Sequence, residues 1–350
     1  MILKDIIGKI DLEHLIGSIN VDITDVQFDS RKINKGALFI AIKGEFHDGH
    51  EYIDETINCG VRAVVVERLP EKINNNITYV LVKNSSKALA FIASNYYDNP
   101  SKEIKLIGVT GTNGKTTTVT LLHQLFKILR VKTGLISTIR NMIGDREIQS
   151  THTTPDALQI NFLLRKMIEN DCKYCFMEVS SHAIVQLRIL GLHFSGGVFT
   201  NISREHLDYH KTFSNYINVK KSFFDSLSKS SFAIVNKDDK NGMKMIESTQ
   251  AKKITYSIKS LSDYRCKILE NQFNGMLLSL NKIDLWVKLI GKFNAYNILS
   301  VYAISNQFFK NHQELLSALS MLDIVEGRFQ RISANNITCI VDYAHTDDAL

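Results

Sequence analysis

The run Ile107-Gly-Val-Thr-Gly-Thr-Asn-Gly-Lys-Thr-Thr-Thr118 constrains this chain more than any other stretch. An apolar strand enters a glycine turn, and the turn opens a helix. Gly111 and Gly114 let backbone N–H groups close on a polyphosphate, and the helix N-terminus turns its partial positive charge to the same point. Thr110, Gly111, Thr112, Asn113 and Gly114 then form a cradle. Lys115 reaches the terminal phosphates, the Thr116 hydroxyl can hold Mg²⁺, and Thr117 continues into the helix. Val119, Leu122, Phe126 and Leu129 share one face at helical spacing, which predicts a helix over 116–130. The spacing departs from the common GxxxxGK[ST] form, since Val109 stands where its first glycine would fall. Strand, turn, Gly-Lys-Thr and amphipathic helix together outweigh a plain glycine turn.

The rest of the chain frames this cradle as an α/β protein: an N-terminal mixed α/β domain, then a central P-loop-type, mostly parallel sheet flanked by helices. Apolar runs at 37–42, 63–66 and 77–82 have strand length, and 86–97 reads as a helix ending at Asn99-Pro100. The first domain is placed at 1–100. From 104 onward strands at 106–109, 133–136, 175–179, 197–201 and 232–236 alternate with helices at 116–130, 155–170 and 214–228. That alternation indicates a parallel sheet with ligands at the carboxyl ends of its strands. Residues 264–290 read as a strand-rich insertion, and 101–333 form the central domain. A strand begins at 337 and 343–350 should turn into a helix, so 334–350 read as the first strand of a truncated third domain.

With 350 residues, 44% apolar and 22% charged, the composition is that of a soluble protein. No stretch is apolar enough for a signal peptide or a membrane span, so a cytoplasmic chain with no membrane insertion is expected. The net charge of +6 is spread without a dense basic block and does not single out nucleic acid as a partner. Of five cysteines, Cys172 and Cys175 have CxxC spacing, but no second ligand pair follows, and ordinary thiols are the better reading.

Three further groups bear on chemistry. Glu178 ends an apolar strand beside the cradle, where a carboxylate can face Thr116 across Mg²⁺; the plainer reading is an exposed loop glutamate. Ser180, Gln186 and Arg188 follow, and Arg188 could clamp a carboxylate or phosphate. His206 and His210 stand four apart, but the glutamate precedes the first histidine, so the HExxH zinc-protease order is absent. Lys220 on an amphipathic helix would, taken alone, be a solvated lysine.

The segment Thr-Gly-Thr-Asn-Gly-Lys-Thr-Thr resembles the ATP loop of Mur ligases and folylpolyglutamate synthases. Glu178-Val-Ser-Ser-His and Asn201-Ile-Ser-Arg-Glu-His-Leu-Asp-Tyr-His210 separate the chain from the folate enzymes and are similar to MurE-type members of the Mur ligase family. Asp29-Ser-Arg31 with Gly44-Glu-Phe-His-Asp-Gly49 resembles the family's uridine-binding region. Gly291-Lys-Phe-Asn-Ala-Tyr-Asn297 resembles its adenine-side motif, and Glu326-Gly-Arg328 with Asp342-Tyr-Ala-His345 the join to its C-terminal domain. One departure is Asp347, where the family usually has proline.

The resemblance implies ATP and Mg²⁺ as cofactors, and ATP-dependent joining of a diamino acid, meso-diaminopimelate or lysine, to UDP-N-acetylmuramoyl-L-alanyl-D-glutamate through an acyl phosphate, in peptidoglycan synthesis. By the same resemblance Lys115, Glu178, His206 and Lys220 are catalytic. Thr116 and Glu178 hold one metal ion, and His206 with a carbamylated Lys220 holds a second. Asn297, Arg328 and Asp342 join the ATP site. Ser30, His47, Thr153, Thr154, Ser180, Gln186 and Arg188 bind the UDP substrate. A monomer is expected, and the apparent truncation predicts that this chain binds the UDP substrate without completing ligation. The alternatives are a non-catalytic nucleotide-sugar-binding remnant or a related Mur or folylpolyglutamate ligase.

Overall fold

The computed structural model describes residues 1–8, 10–44, 47–334 and 337–344, with no side-chain account of 333 and 334. Two compact units emerge. The first comprises Met1–Glu103, Pro155–Arg165 and Val185–Leu192; the second comprises Ile104–Thr154, Lys166–Ile184 and His193–Leu350.

The first unit is built on a five-stranded sheet in the order Leu12–Ile16, Thr78–Val82, Ala63–Val66, Leu38–Ile40, Val26–Gln27. Only the first pair is antiparallel. The near-continuous apolar runs of its inner strands follow from burial on both faces. Leu38, Ile40 and Val65 pack with Ala88, Leu89 and Ile92 of the helix Ser85–Tyr96, while Phe39, Val64 and Val66 pack with Ile53 and Val61 on the other side. The period-two alternation of a strand sorts these residues between the faces. Asn84 caps the helix by accepting from the Lys87 N–H at 2.7 Å. The chain leaves it through left-handed Asn99 and Pro100.

The second unit carries an eleven-stranded sheet. Its seven central strands are parallel, in the order Thr133–Ile136, Tyr174–Glu178, Lys105–Thr110, Phe194–Phe199, Phe232–Asn236, Lys252–Ser257, Tyr264–Gln272. Antiparallel strands extend both edges: Arg140–Ile143 with Arg146–Gln149 on one side, Gly275–Leu280 with Ile283–Val287 on the other. The helices Lys115–Ile128 and Lys292–Ser305 lie over this sheet, sharing one apolar core through Leu121, Leu122, Phe126, Ile298, Leu299 and Val301. The mostly parallel sheet read from the alternation is therefore present. The hairpin 140–149 was not anticipated, because its strands are four residues each and half polar.

His210 ends the helix Leu207–His210, while His206 precedes it, left-handed at φ 54°. The strand Ile337–Val341 exists, paired antiparallel with Gln330–Ala334. The helix expected over 343–350, with His345 and Asp347, falls from 345 onward outside the described residues. Among the described residues, no helix is long and apolar enough to cross a membrane.

Candidate active site

The glycine turn is held by the strand end beside it. Thr200 donates its hydroxyl to the Asn113 carbonyl at 2.6 Å, and the Asn201 side chain both accepts from the Asn113 N–H at 2.9 Å and donates to the Asn113 carbonyl at 3.1 Å. The Thr112 N–H donates to the Asn201 carbonyl. This closeness explains Gly111: at φ 152°, a Cβ there would lie 1.9 Å from the Thr200 hydroxyl. Gly114, also at positive φ, lies against Asn297, whose Oδ1 would be 2.7 Å from an added Cβ. Asn297 in turn donates to Asn294 within the same helix. The adenine-side motif thus abuts the phosphate cradle.

Two lysines converge on the turn. Lys115 donates to the Gly111 and Thr112 carbonyls at 2.9 and 2.7 Å, and Lys220 donates to the same Gly111 carbonyl at 3.0 Å. Lys220 is 1% exposed and, among the described residues, forms no ion pair. Burial, then the neighbouring Lys115 charge, hold its pKa well below the usual lysine value, with Glu205 opposing. Burial lowers Lys115 as well, against Glu178 and Glu205. Neither lysine is the solvated residue that its surroundings in sequence would allow.

Glu178 is fully buried, not an exposed loop residue. Its Oε1 accepts from the Thr138 N–H at 2.7 Å and the Thr138 hydroxyl at 3.0 Å, while Oε2 is buried with no partner among the described residues. An unsatisfied buried carboxylate oxygen is costly and marks a place for a cation. Thr116, also buried, accepts from Arg328 Nη2 at 3.2 Å, and Arg328 Nε has no partner among the described residues. Asp342 accepts from the Phe329 and Tyr343 N–H groups, tying the strand pair to the Arg328 turn. The Thr153 hydroxyl lies 3.1 Å from that of Thr138, and Thr154 links the Glu178 carbonyl to the Ser180 N–H.

His206 is about two-fifths exposed, beside Glu205 at 3.7 Å and edge-on to His182 with ring centroids 4.8 Å apart. The remaining expected substrate residues belong to the first unit. Ser30 opens a short helical turn capped by Asp29, the His47 carbonyl accepts from the Gly44 N–H, and Arg188 donates twice to Gln186. Thr138, Thr200 and Asn201 were not assigned a role from sequence. Asn201 opens a quoted motif, but Thr138 lies in an unremarkable segment and only folding brings it to Glu178.

Residues 109–305 match the family model of the Mur ligase middle domain, and 22–97 that of the Mur ligase catalytic domain. The chain belongs to the Mur ligase family. It is 52% identical to UDP-N-acetylmuramoyl-L-alanyl-D-glutamate–2,6-diaminopimelate ligase of Cytophaga hutchinsonii, over all of this chain and 72% of that protein. The correspondingly named ligase of Parabacteroides distasonis is 48% identical with the same coverage. Among solved structures, a ligase of that name superposes with a TM-score of 0.83 at 26% identity, covering this whole chain and 72% of the other. The mixed α/β architecture is therefore that of Mur ligases.

Proposed function

We propose that the protein is an ATP-dependent ligase that joins 2,6-diaminopimelate to the D-glutamate side chain of UDP-N-acetylmuramoyl-L-alanyl-D-glutamate. The reading rests on whole-chain similarity to ligases of that name, and above all on the unpartnered Glu178 Oε2 beside a complete phosphate cradle. The relatives' names favour diaminopimelate over lysine, which the sequence left open. A carboxylate is a poor electrophile. Transfer of the γ-phosphoryl group of ATP to its oxygen releases ADP and leaves an acyl phosphate, which the amine attacks with loss of phosphate. Lys115 and the loop N–H groups offset charge on the transferred group. Asn297 borders the nucleotide, while Arg328 and Asp342 hold the turn against Thr116. Thr153, Thr154, Ser180, Gln186 and Arg188 bind the sugar-peptide, and Ser30 and His47 the uridine end.

The donor set fits magnesium, a hard cation that takes oxygen ligands. The Thr116 hydroxyl and Glu178 Oε2 would hold one ion. His206 and Lys220 would hold a second once CO₂ has added to the Lys220 amine, since an ammonium cannot ligate and the lowered pKa favours the neutral amine that reacts. Bound there, the ions neutralise charge on the phosphoryl oxygens.

Calorimetric titration with the UDP-dipeptide tests the substrate class: saturable binding is expected, and none overturns the reading. Product assays with MgATP and each diamino acid show whether residues 1–350 complete ligation, and with which amine. Incubation with ¹³C-bicarbonate should give a carbamate resonance that is missing from Lys220→Ala; identical spectra remove the carbamate.

A further inference from the structure

We infer that Tyr216 is a positioning residue that holds His206 and Lys220 in register with the phosphate loop, so that the two can act on one metal ion. The inference rests on the assignment of those two residues to the second ion. Tyr216 and Lys220 lie four apart on the helix Phe213–Asp225, which places them on one face. The ring is 1% exposed, and its face lies 4.7 Å from Lys220 Nζ. The same ring stands edge-on to His206 at 6.3 Å between centroids, and tilted against His210 at 5.0 Å. Its hydroxyl lies 3.3 Å from the Thr112 hydroxyl in the cradle. Thr112 also accepts from the Ser203 N–H at 3.0 Å and lies 3.4 Å from the Ser203 carbonyl, to which it donates. Tyr216 is then the donor to Thr112, in keeping with burial that keeps the phenol protonated.

One side chain therefore touches the phosphate loop, the imidazole and the lysine. Each of those reaches the site from a different element: the turn after Lys105–Thr110, the loop after Phe194–Phe199, and the helix Phe213–Asp225. His206 sits before a helix of only four residues, and its imidazole lies 3.7 Å from Glu205 on one side. The ring contacts of Tyr216 and His182 hold it from the others. Groups behind metal ligands set the ligands' orientation, and their loss commonly weakens metal binding by about 10- to 100-fold.

The test counts Mn²⁺ ions by electron paramagnetic resonance in the presence of a non-hydrolysable ATP analogue, bicarbonate and the UDP-dipeptide, for wild type, Tyr216→Phe and Tyr216→Leu. Tyr216→Leu should weaken the second ion by about tenfold or more, and Tyr216→Phe, which keeps the ring and loses only the hydrogen bond to Thr112, by about threefold. Affinity for the first ion and the UDP-dipeptide should stay within about twofold, which a general loss of structure would not allow. A folded Tyr216→Leu that binds both ions like wild type overturns the inference. Where Tyr216→Leu does not fold, Tyr216→Phe decides: the threefold loss supports the inference, and wild-type affinity overturns it. A wild type that binds a single ion overturns the metal assignment of His206 and Lys220 and the inference with it, a failure visible before any substitution.

Discussion

The glycine turn 110–115 and the histidine loop 201–212 both end strands of one sheet, yet they are ordered by different means. The turn is fixed by residue type and by close hydrogen bonds: two glycines at positive φ, and carbonyls that accept from Thr200, Asn201, Lys115 and Lys220. The histidine loop has no glycine. His206 and Lys211 take positive φ despite their side chains, at 54° and 66°, and His206 stays partly exposed. One region is a rigid receptor made by residue type; the other is an arm held in place by neighbouring rings.

The sharpest way to break this contrast is Gly111→Ala. The added Cβ has no room beside Thr200, and the substitution should cost about 3 kcal/mol of stability. It should also cost about a hundredfold in nucleotide affinity, equivalent to about 2.7 kcal/mol. Thermal melting and calorimetry with ADP measure both, and near-wild-type binding would show that the turn is not rigid. The helix behind the turn adds a pH test. His123 is buried, its Nδ1 2.7 Å from the Thr133 hydroxyl, and burial depresses its pKa to about 4 from 6.5. The unfolded chain takes up this proton below pH 6.5 while the folded chain resists until about 4. Stability should therefore fall with pH across that window, by about 3 kcal/mol at most. His123→Gln should flatten that part of the denaturation profile; an unchanged slope assigns it elsewhere.

The same contrast governs what could be read from sequence. The strand, turn and helix of the cradle were legible because glycine spacing, Gly-Lys-Thr and an apolar stripe are local signals. The parallel strands at 133–136, 175–179 and 232–236 were legible as apolar runs of strand length. Glu178 could be placed at a strand end, but its full burial and its bonds to Thr138 arise from a residue forty positions away. The histidine loop was read by its resemblance to a family motif, since its spacing alone argued only against a zinc-protease helix. The left-handed backbone of His206 is fixed by packing, and no residue type announces it.

Lys220 lies between the two regions, and a smaller effect probes its role. Its folded pKa is below the ordinary lysine value of 10.5, so at neutral pH the unfolded chain binds this proton more readily. Stability is therefore reduced at neutral pH and recovers as pH rises toward 10.5. Lys220→Met keeps the stem and removes the buried amine. In ligand-free, CO₂-free buffer it should gain about 1 kcal/mol, and with ¹³C-bicarbonate it should lack the carbamate resonance, the trade expected of a group kept for function. Destabilisation instead would make the bond to Gly111 structural.

His206 gives the smallest effect and the finest test of the arm. Histidine tolerates the left-handed region better than most residues, but asparagine, whose short side chain can hydrogen-bond locally, visits it at still lower cost. His206→Asn should therefore raise ligand-free stability by about 0.5 kcal/mol, less whatever the lost ring contacts with His182 and Tyr216 contributed. It should at the same time weaken the second Mn²⁺ ion and leave ADP affinity unchanged. Those two responses together would show strain retained for a metal ligand. A loss of stability above about 0.5 kcal/mol would instead mean that the imidazole is a packing element. The loop would then be ordered by burial as firmly as the glycine turn is by its backbone, and the contrast between the two regions would disappear.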